Sequence, residues 1–164
     1  MVIKSRYLEP NLPSVDIYTF LFKRKDRKFP EMSMGDVLAI SLASDIDMPP
    51  IIFGALWAGV IVSTANPGYT LIEISYQLCA SGVKAIVTHF SKIEDVRKPC
   101  SAVGIPEDHI IILGDGKNAT GRFKHWTNVR NLANTAQFVA RKIDLRKDAS
   151  FLVYAGTTGK PEGV

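Results

Sequence analysis

Four short segments with almost continuous apolar side chains alternate along the chain with segments of helical character. They are residues 37–42, 60–62, 85–87 and 109–113. A strand that is buried on both faces needs apolar side chains at consecutive positions, so this pattern predicts strands of a parallel sheet. Helices that connect parallel strands lie on the two faces of such a sheet. The sequence therefore predicts an α/β fold, with a mostly parallel sheet flanked by helices, and one more short strand at residues 150–154.

The segments between the strands carry helix start signals. Residues 49–50 are both proline, which suits the first turn of a helix because its N–H groups have no partner there. Thr70 with Glu73, and Ser91 with Glu94, have the spacing of a capping box, in which each side chain satisfies a backbone N–H of the first turn. We therefore expect helices that begin at Pro49, Thr70 and Ser91.

The positive net charge of the chain comes from a single segment. The net charge is +4, and residues 23–28 (KRKDRK) carry five positive charges and one negative charge. The rest of the chain then has 15 basic and 15 acidic residues and is neutral. One such cluster is typical of a solvated surface, so the sequence predicts no nucleic-acid partner.

Cysteine, histidine and hydropathy patterns exclude several other classes of protein. Cys79 and Cys100 form no CxxC pair, and with the three histidines they have no metal-ligand spacing, which indicates two reduced thiols and no metal site. The longest apolar run, residues 49–62, is 14 residues long and contains two prolines and two glycines. It falls short of the roughly 20 residues that span a bilayer. We therefore expect no membrane span and a cytoplasmic location.

The segment that carries the chemistry is residues 154–164, YAGTTGKPEGV. Glycines let backbone N–H groups approach an anion closely, hydroxyl groups donate to phosphate oxygens, and a lysine supplies positive charge. The composition therefore predicts a polyphosphate-binding loop. Its candidate binding residues are Gly156, Thr157, Thr158, Gly159 and Lys160. No residue of the chain is predicted to be catalytic.

Other nucleotide and hydrolase motifs do not fit. A Walker A loop ending at Gly159–Lys160 would need glycine in place of Tyr154 and serine or threonine in place of Pro161. Residues 114–119 match G-x-G-x-x-A, but no apolar helix follows, so a surface loop is the better interpretation. The chain contains no G-x-S-x-G nucleophile elbow.

The 154–164 segment resembles the phosphate-binding loop of the adenylate-forming (AMP-binding) acyl-CoA synthetases, whose usual form is YSSGTTGxPKGV. The segment differs from the family's usual form at two places. Ala155 stands where the family has two small residues, and Glu162 stands where the family has a lysine. The subgroup that the chain most resembles is the 4-coumarate–CoA ligase type. Segments that carry the upstream resemblance are residues 12–17, 35–39, 54–59, 66–70, 76–78 and 81–84.

Residues 1–34 are interrupted by Pro10, Pro13 and Pro30, which predicts an irregular lead-in. The resemblance implies that residues 35–164 are a partial AMP-binding domain, from the N-terminal subdomain of the adenylate-forming ligase fold. In that family, ATP and a carboxylic acid form an acyl-adenylate and pyrophosphate, and coenzyme A then displaces AMP. ATP, Mg²⁺ and coenzyme A are the implied cofactors, with the Mg²⁺ ligand further along than this chain reaches. A full-length relative could be peroxisomal.

The chain is about the first third of such an enzyme, so we expect a fragment that is inactive alone as a ligase. The alternative is a non-catalytic remnant that binds a nucleotide or phosphate, or a docking module. Because the last predicted strand would lack neighbours, we also expect self-association through an exposed sheet edge.

Overall fold

The computed structural model describes residues 32, 34–114, 122–127, 151–155 and 162–163. The helices are α1 (Met48–Trp57), α2 (Leu71–Ser81) and α3 (Ile93–Ala102), with short 3₁₀ turns at Phe90–Lys92 and Glu107–His109. The strands are β1 (Val37–Ser41), β2 (Ile61–Thr64), β3 (Val83–His89), β4 (Ile110–Leu113), β5 (Lys124–His125), β6 (Tyr154–Ala155) and β7 (Glu162–Gly163).

The first five strands form one parallel sheet in the order β2-β1-β3-β4-β5. In register, Ile40 of β1 pairs with Thr64 and with Val87, and Ile111 of β4 pairs with Val87 and with Lys124. The chain passes from β1 to the edge strand β2 and then returns across β1 to β3. The predicted α/β fold with a parallel sheet is therefore confirmed.

Alternate residues of each strand point into two separate apolar cores. Leu38 and Ile40 of β1 belong to the core that also contains Ile51 and Ala55 of α1. Neighbouring residues of the same strands belong to the other core, with the buried side chains of α2 and α3. Because both faces of β1, β3 and β4 are covered, their buried side chains are apolar or small, as the continuous runs predicted, whereas Lys84 and His89 of β3 are not buried.

The starts of α1 and α2 agree with the sequence signals. Pro49 occupies the first turn of α1. Thr70 is the N-cap of α2, where its Oγ1 accepts from the Glu73 N–H and the Glu73 carboxylate accepts from the Thr70 N–H at 2.8 Å. Gly82 ends α2 with φ +63°, a left-handed conformation that glycine adopts without strain.

The predicted start of α3 at Ser91 is wrong. A 3₁₀ turn occupies Phe90–Lys92, and the helix begins at Ile93. The His89 Nδ1 accepts from the Ser91 N–H at 3.2 Å and lies 2.8 Å from the Ser91 Oγ. The imidazole therefore engages the hydroxyl that would have capped the helix, and the first turn tightens instead.

The two cysteines are free thiols, as the sequence predicted. Cys79 is exposed on α2, whereas Cys100 is completely buried on α3. Burial raises the pKa of the Cys100 thiol to about 12, so this group stays protonated in the core.

Candidate functional site

The five predicted phosphate-binding residues, 156–160, lie outside the described part of the chain, which does include the strands on either side of them. Tyr154 pairs with Gly163 and Ala155 pairs with Glu162, in antiparallel register. Only residues 156–161 separate the two strands. The strands bring the two ends of the glycine- and threonine-rich segment together, as a loop around an anion requires.

The segment before the loop is attached to the edge of the parallel sheet. Phe151 forms a parallel bridge with Val62 of β2, and the Leu152 N–H donates to the Val62 carbonyl at 2.9 Å. The strand predicted at residues 150–154 is thus present as this bridge followed by β6, instead of one continuous strand. The loop is thereby tied to the sheet through its N-terminal flank.

The side chain of Tyr154 packs on helix α2. Its ring meets the ring of Tyr76 edge to face, with 6.4 Å between centroids and 89° between planes. Ser81, the last residue of α2, favours the ionised form of the Tyr154 hydroxyl and so acts to lower its pKa. Burial, followed by the neighbouring Tyr76, raises the pKa of the Tyr154 hydroxyl, which therefore remains a neutral hydrogen-bonding group at pH 7.

Gly163 occupies a position where a side chain would be in tight contact with Tyr154. A Cβ placed on Gly163 would lie 3.1 Å from Cζ and 3.2 Å from the hydroxyl oxygen of Tyr154. The tyrosine ring therefore lies close to the glycine with which Tyr154 pairs. A larger residue at position 163 would require the Tyr154 ring to shift.

The two departures from the usual motif meet at one position of the strand pair. Ala155, which stands for two small residues, pairs with Glu162, which replaces a lysine. Glu162 is exposed. Its carboxylate lies on the strand that leaves the loop, where negative charge opposes a polyphosphate.

The three histidines bind to nearby protein groups and do not converge on a metal. His109 Nδ1 donates to the Lys84 carbonyl at 2.9 Å, and His125 Nε2 donates to the Gly114 carbonyl at 2.6 Å. His89 supports the 3₁₀ turn before α3. Across the described residues, no group of three His, Cys, Asp or Glu side chains could hold a metal ion.

Tyr76 and Ser81 were not predicted as part of the site. They belong to upstream segments that carry the family resemblance, but no spacing rule connects a helix residue with a loop so much later in the chain. The basic cluster at residues 23–28 lies outside the described residues. No helix in the described ranges is long and apolar enough to cross a membrane.

Comparison with protein families gives a match between residues 31–164 and the model described as "AMP-binding enzyme". The 4-coumarate-CoA ligase 1 of Narcissus pseudonarcissus is 30% identical over 138 residues, which cover 81% of this chain and 23% of the relative. Phenylacetyl-CoA ligase epaB of Aspergillus niger is 29% identical over 138 residues, or 79% of this chain and 25% of the relative. The chain thus spans about a quarter of the length of these relatives.

Solved structures share the fold at lower sequence identity. The anthranilate CoA ligase AuaEII, in complex with anthranoyl-AMP, matches with a TM-score of 0.70 and 20% identity, covering 81% of this chain and 25% of that chain. A long-chain-fatty-acid-CoA ligase (FadD1) from Archaeoglobus fulgidus matches with a TM-score of 0.73 and 19% identity. The match covers 91% of this chain and 28% of that chain.

Proposed function

Because the chain belongs to the AMP-binding enzyme family, we propose that it supplies the ATP polyphosphate-binding part of an AMP-dependent acyl- or aryl-CoA ligase. The observation that supports this most directly is the antiparallel pairing of Tyr154–Ala155 with Glu162–Gly163. It brings together the two ends of the segment that contains the glycines, threonines and lysine.

In this proposal, the Gly156 and Gly159 backbones allow close approach to the β- and γ-phosphates of ATP. Thr157 and Thr158 donate hydroxyl hydrogen bonds, and Lys160 supplies positive charge. The reaction of such a ligase joins a carboxylate to AMP with release of pyrophosphate, and the thiol of coenzyme A then displaces AMP. The loop contributes by positioning the phosphates and by stabilising their charge.

The family also implies Mg²⁺, for which the described residues provide no matching set of ligands. Among the described residues we therefore assign no metal ligand, and in this proposal the chain supplies no catalytic side chain. We further propose that they bind ATP without completing adenylation by themselves. The alternative function is a non-catalytic nucleotide- or phosphate-binding remnant or a docking module. The exposed Glu162, which pairs with Ala155, favours this alternative over a full ligase, because its negative charge weakens binding of the ATP polyphosphate.

The test is calorimetric titration of the purified chain with ATP. Thr157→Ala removes one hydroxyl donor to a charged phosphate and is expected to weaken ATP binding about tenfold or more. Glu162→Lys is expected to tighten it about tenfold at low ionic strength, since the charge beside the loop is reversed. Glu94→Lys on α3 makes the same change in net charge away from the loop and should have little effect.

A wild-type chain that does not bind ATP would contradict the proposed function. ATP–pyrophosphate exchange with a panel of carboxylic acids then separates the two candidates. Binding without exchange by this chain is expected. Exchange by the chain alone would show that it catalyses adenylation, contrary to our proposal.

A further inference from the structure

We propose that the outer face of helix α1 is a docking surface for the part of an AMP-binding ligase that the relatives have beyond the matched segment. The outer face is defined as Pro49, Pro50 and Phe53, together with Ile46 in the turn before the helix. All four residues belong to the described part of the chain. The inference rests on the proposed function, because the partner is taken from the ligase family.

The first observation is that α1 has no polar residue at any position. Its sequence is MPPIIFGALW, and the apolar run continues through residues 58–62. A helix on the surface of a protein normally has an apolar stripe toward the core and charged or polar residues on the opposite side. A helix that is apolar all round is normally buried on all sides. The sequence of α1 is therefore that of a buried helix.

The second observation is that only one side of this helix is buried by the sheet. Ile51 is 1% exposed and belongs to the core, whereas Phe53 and Ile46 are 66% and 89% exposed. Pro49 and Pro50 are also exposed. Positions three and four residues apart lie on the same side of a helix, so both prolines share a side with Phe53. The side of α1 away from the sheet therefore presents apolar residues to solvent.

Helix α3, on the other face of the sheet, shows the usual pattern. Its exposed residues include Glu94, Asp95 and Lys98, and its buried residues include Val96 and Cys100. α3 thus carries the charged residues of a helix whose outer side stays in water, and α1 carries none. The outer face of α1 is therefore suited to contact with another apolar surface.

The comparison with relatives identifies the occupant. The 4-coumarate-CoA ligase 1 of Narcissus pseudonarcissus matches 81% of this chain with 23% of its own length, and AuaEII shares the fold over 25% of its chain. Most of the polypeptide of such relatives therefore lies outside the segment that this fold matches. Because the outer face carries no charge, the surface that covers it is apolar as well, since a charge buried there would have no partner.

Hydroxyl-radical labelling tests the contact without any substitution. The isolated chain is compared with a chimera in which this chain replaces the segment that it matches in the Narcissus ligase, and labelling of Phe53 and Ile72 is read by mass spectrometry. Ile72 is the control, because it is 82% exposed on α2, on the other face of the sheet. We expect labelling of Phe53 to fall about fivefold or more in the chimera, because the centre of an interface excludes water, and labelling of Ile72 to stay unchanged.

The second measurement is urea unfolding of Phe53→Lys and Ile72→Lys in both proteins. In the isolated chain neither substitution should change the unfolding midpoint, since both side chains are exposed. In the chimera, Phe53→Lys places a charge inside the contact and should raise the unfolding equilibrium constant about tenfold or more. Ile72→Lys should leave it unchanged.

Equal labelling of Phe53 in the isolated chain and in the chimera would overturn the inference, and so would a chimera that does not fold. Protection of Phe53 in the isolated chain that grows with protein concentration would identify a second copy as the occupant and would also overturn it. Equal losses from the two lysine substitutions in the chimera would show that the effect is not specific to α1, with the same result. A chain that binds no ATP would instead contradict the proposed function, while the labelling, which uses no ATP, would still decide what covers α1.

Discussion

At the scale of single residues, Gly114 is the most constrained glycine among the described residues. It follows β4 with φ +93°, and a Cβ placed on it would lie 2.3 Å from Nε2 of His89. The His89 ring cannot easily move, because its Nδ1 accepts from the Ser91 N–H. Gly114 therefore requires glycine both for its backbone conformation and for the space that His89 occupies.

We expect Gly114→Ala to destabilise the protein by more than the roughly 1–3 kcal/mol of a strained backbone conformation, since the steric clash adds to that cost. The matched control is Gly104→Ala, which has φ +82° but no heavy atom within 4 Å of the added Cβ. Urea denaturation measures the free energy of unfolding of both variants. Equal losses of unfolding free energy at the two positions would show that His89 does not constrain Gly114.

At the scale of the element, helix α2 depends on its N-terminal cap. Thr70 Oγ1 accepts from the Glu73 N–H, and Glu73 accepts from both the N–H and the hydroxyl of Thr70. Because α2 also carries the residues that contact Tyr154, loss of this cap would disturb the candidate site as well. We expect Thr70→Ala to cost about 1 kcal/mol of stability at pH 7.

The cap also makes the stability of α2 depend on pH. Hydrogen bonds from the Thr70 backbone and then from its side chain lower the pKa of Glu73 below its ordinary value of 4.5. Its contribution is therefore present above pH 4.5 and is lost as the pH falls through the lowered pKa. In urea titrations Glu73→Ala should destabilise the protein at pH 7, and this loss of unfolding free energy should shrink as the pH falls below 4.5. A loss that stays the same size as the pH falls would exclude the carboxylate cap. Glu73→Gln, which can keep the cap, serves as the control.

Local signals predicted those elements whose cause is local. The cap of α2 depends on residues three positions apart, and the strands were indicated by apolar runs of three to six residues, so both could be found in the sequence. The start of α3 could not, because the His89 imidazole reached it from the preceding strand. Strand β5 has two residues and depends on its pairing with β4, for which no sequence pattern exists.

The chemistry of the candidate site stays a prediction of the sequence, because residues 156–160 lie outside the described part of the chain. The residue types in 154–164 predict a polyphosphate site, since glycine, hydroxyl and lysine side chains have known roles there. The contact of Tyr154 with Tyr76 could not be found in this way. It depends on the fold, which places the end of α2 beside a strand that comes much later in the chain.

At the scale of the whole molecule, the edge of the sheet next to β2 exposes apolar side chains. Phe151 and Val153 are 45% and 47% exposed, on the segment that forms the bridge with β2. An exposed apolar edge is a template for pairing with another chain. Self-association through this edge stays a prediction of the sequence, and these two residues are where we expect it.

Analytical ultracentrifugation of the purified chain should show association that increases with concentration. Val153→Lys places a charge on the edge and should reduce it. Phe53→Lys is the control, because Phe53 is an even more exposed apolar residue but lies on α1. If Val153→Lys leaves the association unchanged, or if Phe53→Lys abolishes it equally, the contact involves another surface.

The attachment of Leu152 to Val62 also has a consequence for the order of folding. Strands β1, β2 and β3 are each followed by one α-helix before the next strand, whereas the 151–155 segment reaches β2 from a distant part of the chain. Long-range contacts are costly in loop-closure entropy and form late. We therefore expect the sheet to assemble first, and the 151–155 segment to be the last described part to reach its place and the first to leave it.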